Sequence, residues 1–300
     1  MTPGIGPRIR TARHRADQAL LRATRAAEIA QRHEQQSDEG PAMLSEFHQR
    51  MARTQRRSET AHRVSARIHR AYAQQLQLWA DVASGAPAPP SFIGAVADEA
   101  GTGSAAVVLF GADRIEAMVA TSDAIARTAQ DVEFTLGEGP SQEAALRQCR
   151  VTATGGELAA RWPQYGPAVA GLGVREVVAV PLGRDAGVGA LTVLSSSWAG
   201  GATLPVISWP AVDTVADVVT GAMLAEVGRN DSDDPPEALL LDGAGDRQVV
   251  HVAAGIVAEQ VGCDPPEAVA LIRARAFADG VTSTAVAEQV VAGDLQLSAT

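Results

Sequence analysis

The chain has 300 residues, 46% hydrophobic and 20% charged, enough for two modest cores plus extra helices and too apolar for wholesale disorder. All 25 basic residues are arginine, which excludes chemistry that needs a lysine, such as Schiff-base formation or the phosphate clamp of a P-loop. The net charge of −10 is uneven: residues 1–80 carry 14 arginines against 7 acids, and residues 81–228 carry 7 against 16.

Residues 8–36 and 42–83 lack internal proline and glycine and are rich in Ala, Arg, Gln and Glu, so two helices are expected around Gly40-Pro41. In the second, Leu44, Met51, Ser58, Ser65, Tyr72 and Trp79 recur at sevens, with Phe47, Thr54, Ala61, Ile68, Gln75 and Val82 three places on. Such an imperfect heptad stripe predicts a helical coiled-coil arm over residues 1–84 that packs on the first helix or on a second protomer. His62 and His69 share this helix, but a seven-residue spacing is about 10 Å of rise, which excludes a joint metal site.

Two breaks punctuate the rest, the Pro-rich stretch 85–90 and an acidic linker over 228–239. Between them, Ala105 to Phe110, Ile115 to Ala120, Val151 to Thr154, Val177 to Pro181 and Gly189 to Leu194 read as strands, and 91–100, 141–149 and 208–226 as helices. The fold class predicted is α+β. Gly137 and Gly139 read as a tight turn, since Glu138 between them would repel an anion. Cys149 reads as a small buried residue at a helix end. The two cysteines of the chain fit no disulfide framework or metal spacing, and no run of about 18 apolar residues is present. A cytoplasmic protein that neither spans nor anchors to a membrane is expected.

The run Phe134-Thr135-Leu136-Gly137-Glu138-Gly139-Pro140, then Arg161-Trp162-Pro163, Gly173-Val174-Arg175, Val180-Pro181-Leu182 and Gly189-Ala190-Leu191 resembles a GAF domain of the actinobacterial kind, over about residues 91–227. The resemblance implies an antiparallel sheet with flanking helices and a pocket for a small-molecule signal. Trp162, Tyr165 and Trp198 are candidates to line that pocket, or else to anchor the core.

Beyond the linker the pattern is helical. Val249, Val252, Ala253, Ile256, Val257 and Val261 form a stripe ending at Gly262, and Asp264-Pro265-Pro266-Glu267 supplies an N-cap, a proline start and an acid at the third position. Ala268, Leu271, Ile272 and Ala276 follow until Gly280; then Thr282, Ser283 or Thr284 can cap a third helix bearing Val286, Ala287, Val290 and Val291. Three short helices need one another, so a bundle is expected over residues 240–297.

That segment, with Arg247-x-Val249, Ala253-Ala254-Gly255-Ile256-Val257, Leu271-Ile272-Arg273, Ala276-Phe277-Ala278 and Val286-Ala287, resembles the ANTAR family. The resemblance implies a dimeric protein that binds paired RNA stem-loops and prevents a terminator from forming. Arg273 and Arg275 then become candidate phosphate or loop contacts, Phe277 a base-stacking residue and Arg247 a peripheral contact. Read without the family, Phe277 is a core residue and Arg275 a solvated one. Ala254, Val281 and Ser283 depart from the family pattern, and residues 246–300 carry 3 arginines against 7 acids, which works against phosphate binding. The reading is a signal-responsive antitermination regulator with no cofactor; the alternative is a protein-interaction scaffold. The chain lacks HExxH, GxSxG and GxGxxG patterns, which argues against an enzyme.

Overall fold

The computed structural model describes residues 5–82, 88–111, 114–183, 188–196, 207–227 and 247–298, with side chains described to residue 223 in the helix that ends at 227. The elements run α1 (Ile5–Glu39), α2 (Ala42–Val82), α3 (Phe92–Glu99), β1 (Ser104–Phe110), β2 (Glu116–Thr121), α4 (Ala124–Leu136), α5 (Pro140–Arg147) and β3 (Val151–Thr154). They continue with α6 (Glu157–Arg161), α7 (Tyr165–Gly171), β4 (Val174–Leu182), β5 (Gly189–Ser196), α8 (Trp209–Val227), α9 (Gln248–Val261), α10 (Pro265–Asp279) and α11 (Ser283–Ala292). Two compact units result. One is Met1–Ala100 with Trp209–Leu239; the other is Gly101–Ser208 with Leu240–Thr300. The fold class is α+β, as the sequence predicts.

In the first unit α1 and α2 form a hairpin whose seam differs from the stripe read in the sequence. Alanines do most of the packing: Ala12, Ala16, Ala19, Ala23, Ala26 and Ala30 are buried along α1, and Ala52, Ala66 and Ala73 along α2. Their spacing of three and four on α1, and of sevens through Ala52, Glu59, Ala66 and Ala73 on α2, keeps each set on one helical face. Each methyl contributes under about 1 kcal/mol, so the hairpin depends on length and on close approach. Of the predicted stripe only Ile68 and Tyr72 are buried; Leu44 and Phe47 are 44% and 48% exposed near the hairpin tip. Glu59 lies in the seam and is held by Arg56 at 2.9 Å and Arg63 at 2.6 Å.

The second unit is built on an antiparallel sheet of order β2-β1-β5-β4-β3. Valine, which fits a pleated surface, recurs through its strands, and alanine and leucine fill the remaining buried positions. Central β5 pairs with β1 through Ala106 opposite Thr192 and with β4 through Val178 opposite Val193. At Gly189 any Cβ would stand 2.2 Å from the Val108 carbonyl oxygen, so this strand start admits only glycine. The four helices α4 to α7 contribute Ala126, Ala129, Ala144, Leu158, Tyr165 and Val169 to the core on the sheet. Cys149, expected to be buried, is exposed: it follows Gln148, whose left-handed backbone at φ 51° ends α5 and turns the chain outward.

Candidate nucleic-acid interface

The three C-terminal helices form as their end signals require. Asp264 accepts from the Glu267 amide while Glu267 reaches back to the Asp264 amide, a complete capping box. Thr282 caps α11, and Gly262, Gly280 and Gly293 close the three helices in the left-handed conformation. Val250, Ala253, Ala254 and Val257 of α9 pack with Ala268, Val269, Ile272 and Ala276 of α10 and Val286, Ala287 and Val290 of α11. Val252 and Val291, read as inward in the sequence, are 49% and 44% exposed; Val250 and Ser283 take the inward positions instead.

Phe134 and Ile115, from the sheet module, belong to the same apolar cluster. The bundle therefore sits on α4 and β2, and two of its three arginines are inside that junction. Arg247 is 3% exposed and pairs with Glu116 at 2.6 Å and Asp131 at 3.0 Å. It also donates to the Gln130 carbonyl and to the Thr284 hydroxyl, each at 3.4 Å. The guanidinium carbons of Arg247 and Arg273 each lie 4.3 Å from the Phe134 ring centroid. Both arginines therefore lie against this one ring, a largely desolvated cation–π arrangement. The Thr135 and Ser283 hydroxyls meet at 3.1 Å, and a His251 ring nitrogen lies 2.9 Å from the Glu116 carbonyl oxygen.

The charges there are unequal to one another. Burial pushes the Glu116 carboxyl up, and Arg247 pulls it back. Arg273 is pushed down, first by burial and then by Arg247, with Glu116 acting in the other direction. Its Nε is buried without a hydrogen-bond partner. Arg273 is thus the less well compensated of the two cations, and keeping it here costs free energy.

The other candidate contacts face outward. Arg275 is exposed and pairs with Asp279 at 2.6 Å, an exposed intrahelical pair of little strength. Phe277 is 61% exposed, which is unusual for a core residue and suits a stacking surface. It borders an open cleft of about 380 Å³ whose wall includes Thr135, Gly137, Gln164 and Arg273. Of the three departures, Ala254 is in the bundle core, Ser283 binds Thr135, and Val281 is 42% exposed.

On the sheet side, Trp162 and Tyr165 are buried and meet edge to face at 5.8 Å. The Trp162 indole N–H donates to Glu143 at 3.0 Å, whereas the Tyr165 hydroxyl is buried without a partner. Trp198 and the acidic linker lie outside the described residues. The Gly137–Pro140 turn is organised by carboxylates. Glu133 accepts from the Gln142 amide at 2.8 Å and from the Ser141 hydroxyl at 3.0 Å, so the start of α5 is already occupied by a carboxyl group of the chain's own. Glu138 accepts from the Gln164 and Tyr165 amides at 2.7 and 2.9 Å, at the start of α7. Gln130 and Thr192 complete a buried cluster through Ser141. Burial raises Glu133 to about 7 against the pull of the amide of Gln142, with Glu116 raising it further.

Glu116, Asp131, Glu133 and Phe134 were not singled out as site residues from the sequence. The available signal was the helix that carries three of them: an Asp123 N-cap, an apolar stripe through Ile125, Ala129, Val132 and Leu136, and a closing Gly137 mark α4. Among the described residues no helix is long and apolar enough to cross a membrane, and no group of three metal-ligating side chains gathers.

Among known families, the model of the ANTAR domain matches residues 243–291. No curated protein and no solved structure matches the chain. The segment from 243 to 291 is therefore identified as an ANTAR domain, an RNA-binding output domain of transcription antitermination, carried on an α+β chain.

Proposed function

We propose that this protein is a signal-responsive antitermination regulator, in which a GAF-like sensory domain over residues 91–227, linked by the acidic segment 228–239, controls RNA binding by the C-terminal domain at 240–297. The carrying observation is the division of the basic residues of the bundle. Arg247 and Arg273 are engaged with Glu116, Asp131 and Phe134, while Arg275 and Phe277 face solvent. A docked bundle offers RNA one exposed cation and one exposed ring; a released bundle offers three cations. Because affinity for nucleic acid rises with each neutralised phosphate, release strengthens binding, and a signal that favours release switches the output on.

The sensor is proposed to respond to a small molecule reaching the polar cluster around Glu133. Support comes from the Tyr165 hydroxyl, buried beside it with no partner. Paired stem-loops call for two copies of the bundle, and a homodimer in the cytoplasm is the working assembly. Catalysis forms no part of this reading.

The test is an electrophoretic shift with RNA carrying two tandem stem-loops, at several salt concentrations. Arg275→Ala and Phe277→Ala are expected to weaken binding, and Phe134→Leu, which removes the ring that Arg247 and Arg273 both approach, to strengthen it. Absence of any salt-sensitive shift by both the native chain and Phe134→Leu overturns the proposal in favour of a protein-interaction scaffold.

A further inference from the structure

The helical unit contains a cleft that the roles above do not use. It lies among α1, α2 and α8, measures about 250 Å³, and is walled by Arg15, Arg22, His62, Ser65, His69 and Asp217, all of the same compact unit. The balance of these side chains is cationic, with Asp217 the opposing charge on α8.

His69 is 6% exposed, its ring lies 5.0 Å from that of Phe92, and its Nδ1 is buried with no hydrogen-bond partner. Burial, then Arg15, holds its ring down to about 4; burial, then Arg22, holds His62 below its ordinary range. Each imidazole thus lies within electrostatic reach of an arginine of α1, and burial and that cation together disfavour its charged form. Arg15 has interactions of its own; Arg22 is exposed and has no carboxylate partner among the described residues. Cations would be repelled here, and the seven-residue spacing of the rings rules out chelation.

We infer that this cleft is a binding site for a small oxyanion, a phosphate or carboxylate group. Its volume falls below the roughly 300 Å³ at which drug-sized pockets begin, so the occupant is a group of a few heavy atoms. A neutral imidazole can present N–H from either nitrogen, and His69, whose buried Nδ1 has no partner, is among the residues lining the cleft. The Ser65 hydroxyl and the Arg22 guanidinium supply further donors, and Asp217 confines the anion to the side of α1 and α2. An anion in turn favours the protonated rings, so binding tightens on acidification.

The test uses the full chain and follows the histidine Cε1–H signals by NMR at constant ionic strength, with His62→Gln for assignment. Sodium sulfate is one probe, chosen because it stays doubly charged, and sodium acetate the other. Saturable shifts of both rings with either anion, upward displacement of both titrations, and binding weakened about tenfold in Arg22→Gln are expected. Which anion saturates separates phosphate-like from carboxylate ligands. Shifts that chloride reproduces, or that survive Arg22→Gln unchanged in a variant with native melting behaviour, overturn the inference. Neither result depends on RNA binding.

Discussion

Arg247 donates through Nε to the Glu116 carboxylate at 2.6 Å, with the two side chains 3% and 1% exposed, across a separation of 131 residues. This pair fastens the start of the C-terminal bundle to strand β2. Removing one member of a buried pair strands the other charge, at a cost of about 3–5 kcal/mol. Glu116→Ala is therefore expected to lower the stability of the second unit by that order in urea unfolding at pH 7. The double variant Glu116→Leu with Arg247→Met, which removes both members of the buried pair and leaves only the partly exposed Asp131 and Arg273 to readjust, should lie closer to the native protein than Glu116→Ala does. Equal losses for both would show that the pair is not what holds the junction.

Glu133 supplies a pH prediction. Its carboxyl is raised from an ordinary 4.5 to about 7 because burial disfavours the charge. The folded state therefore binds the proton more tightly than the unfolded chain. The stability this gives is fully present below pH 4.5 and is lost as pH rises through 7, in total about 3 kcal/mol. Glu133→Gln keeps an acceptor for the Gln142 amide and cannot ionise. The variant should flatten the fall of the sheet unit's stability between pH 5 and 7, read by urea unfolding at half-unit steps with a probe in that unit.

Gly139 is coupled to the same carboxyl. A Cβ there would stand 2.6 Å from Glu133 Cγ and Cδ, so Gly139→Ala forces the side chain off the start of α5. A loss of about 1–3 kcal/mol is expected for such overpacking. In a Glu133→Ala background the obstruction is gone and the loss should shrink by more than half, a non-additivity that a double-mutant cycle measures directly. Additive losses would place the defect in the loop backbone instead.

The parts of the fold legible in the sequence are those with local punctuation. Asp264-Pro265-Pro266-Glu267 and the three closing glycines mark the bundle helices because capping is settled within four residues. The strands show because their Val-rich runs are bounded by Gly or Pro. Helix α4 was missed although Ile125, Ala129, Val132 and Leu136 recur along it at helical spacing, a signal left unused in predicting the elements. The junction residues were missed with it, since Asp131 and Phe134 acquire their meaning only when Arg247 and Arg273 arrive from more than 110 positions away. The seam of the hairpin was misread for a related reason. Large residues such as Leu44 and Phe47 dominate a hydrophobic pattern, while the helices approach on alanines that carry little signal individually.

His69 provides a prediction of opposite sign in the other unit. Its ring is held at about 4 against an ordinary 6.5, first by burial and then by Arg15. The folded state excludes the proton that the unfolded chain accepts, so the stability is present above pH 6.5 and lost as pH falls through 4, again by about 3 kcal/mol. His69→Phe keeps an aromatic ring against Phe92 and removes both the titration and the unpartnered Nδ1. It should abolish the acid-side loss in the helical unit and leave the alkaline-side loss from Glu133 untouched. Between pH 4.5 and 6.5 the two effects run against each other, one in each compact unit, so a single whole-chain midpoint will look flat there. Probes that report each unit separately should instead show the helical unit weakening on acidification while the sheet unit strengthens. If both units move together in the native chain and in both single variants, neither buried group governs its unit's response to pH.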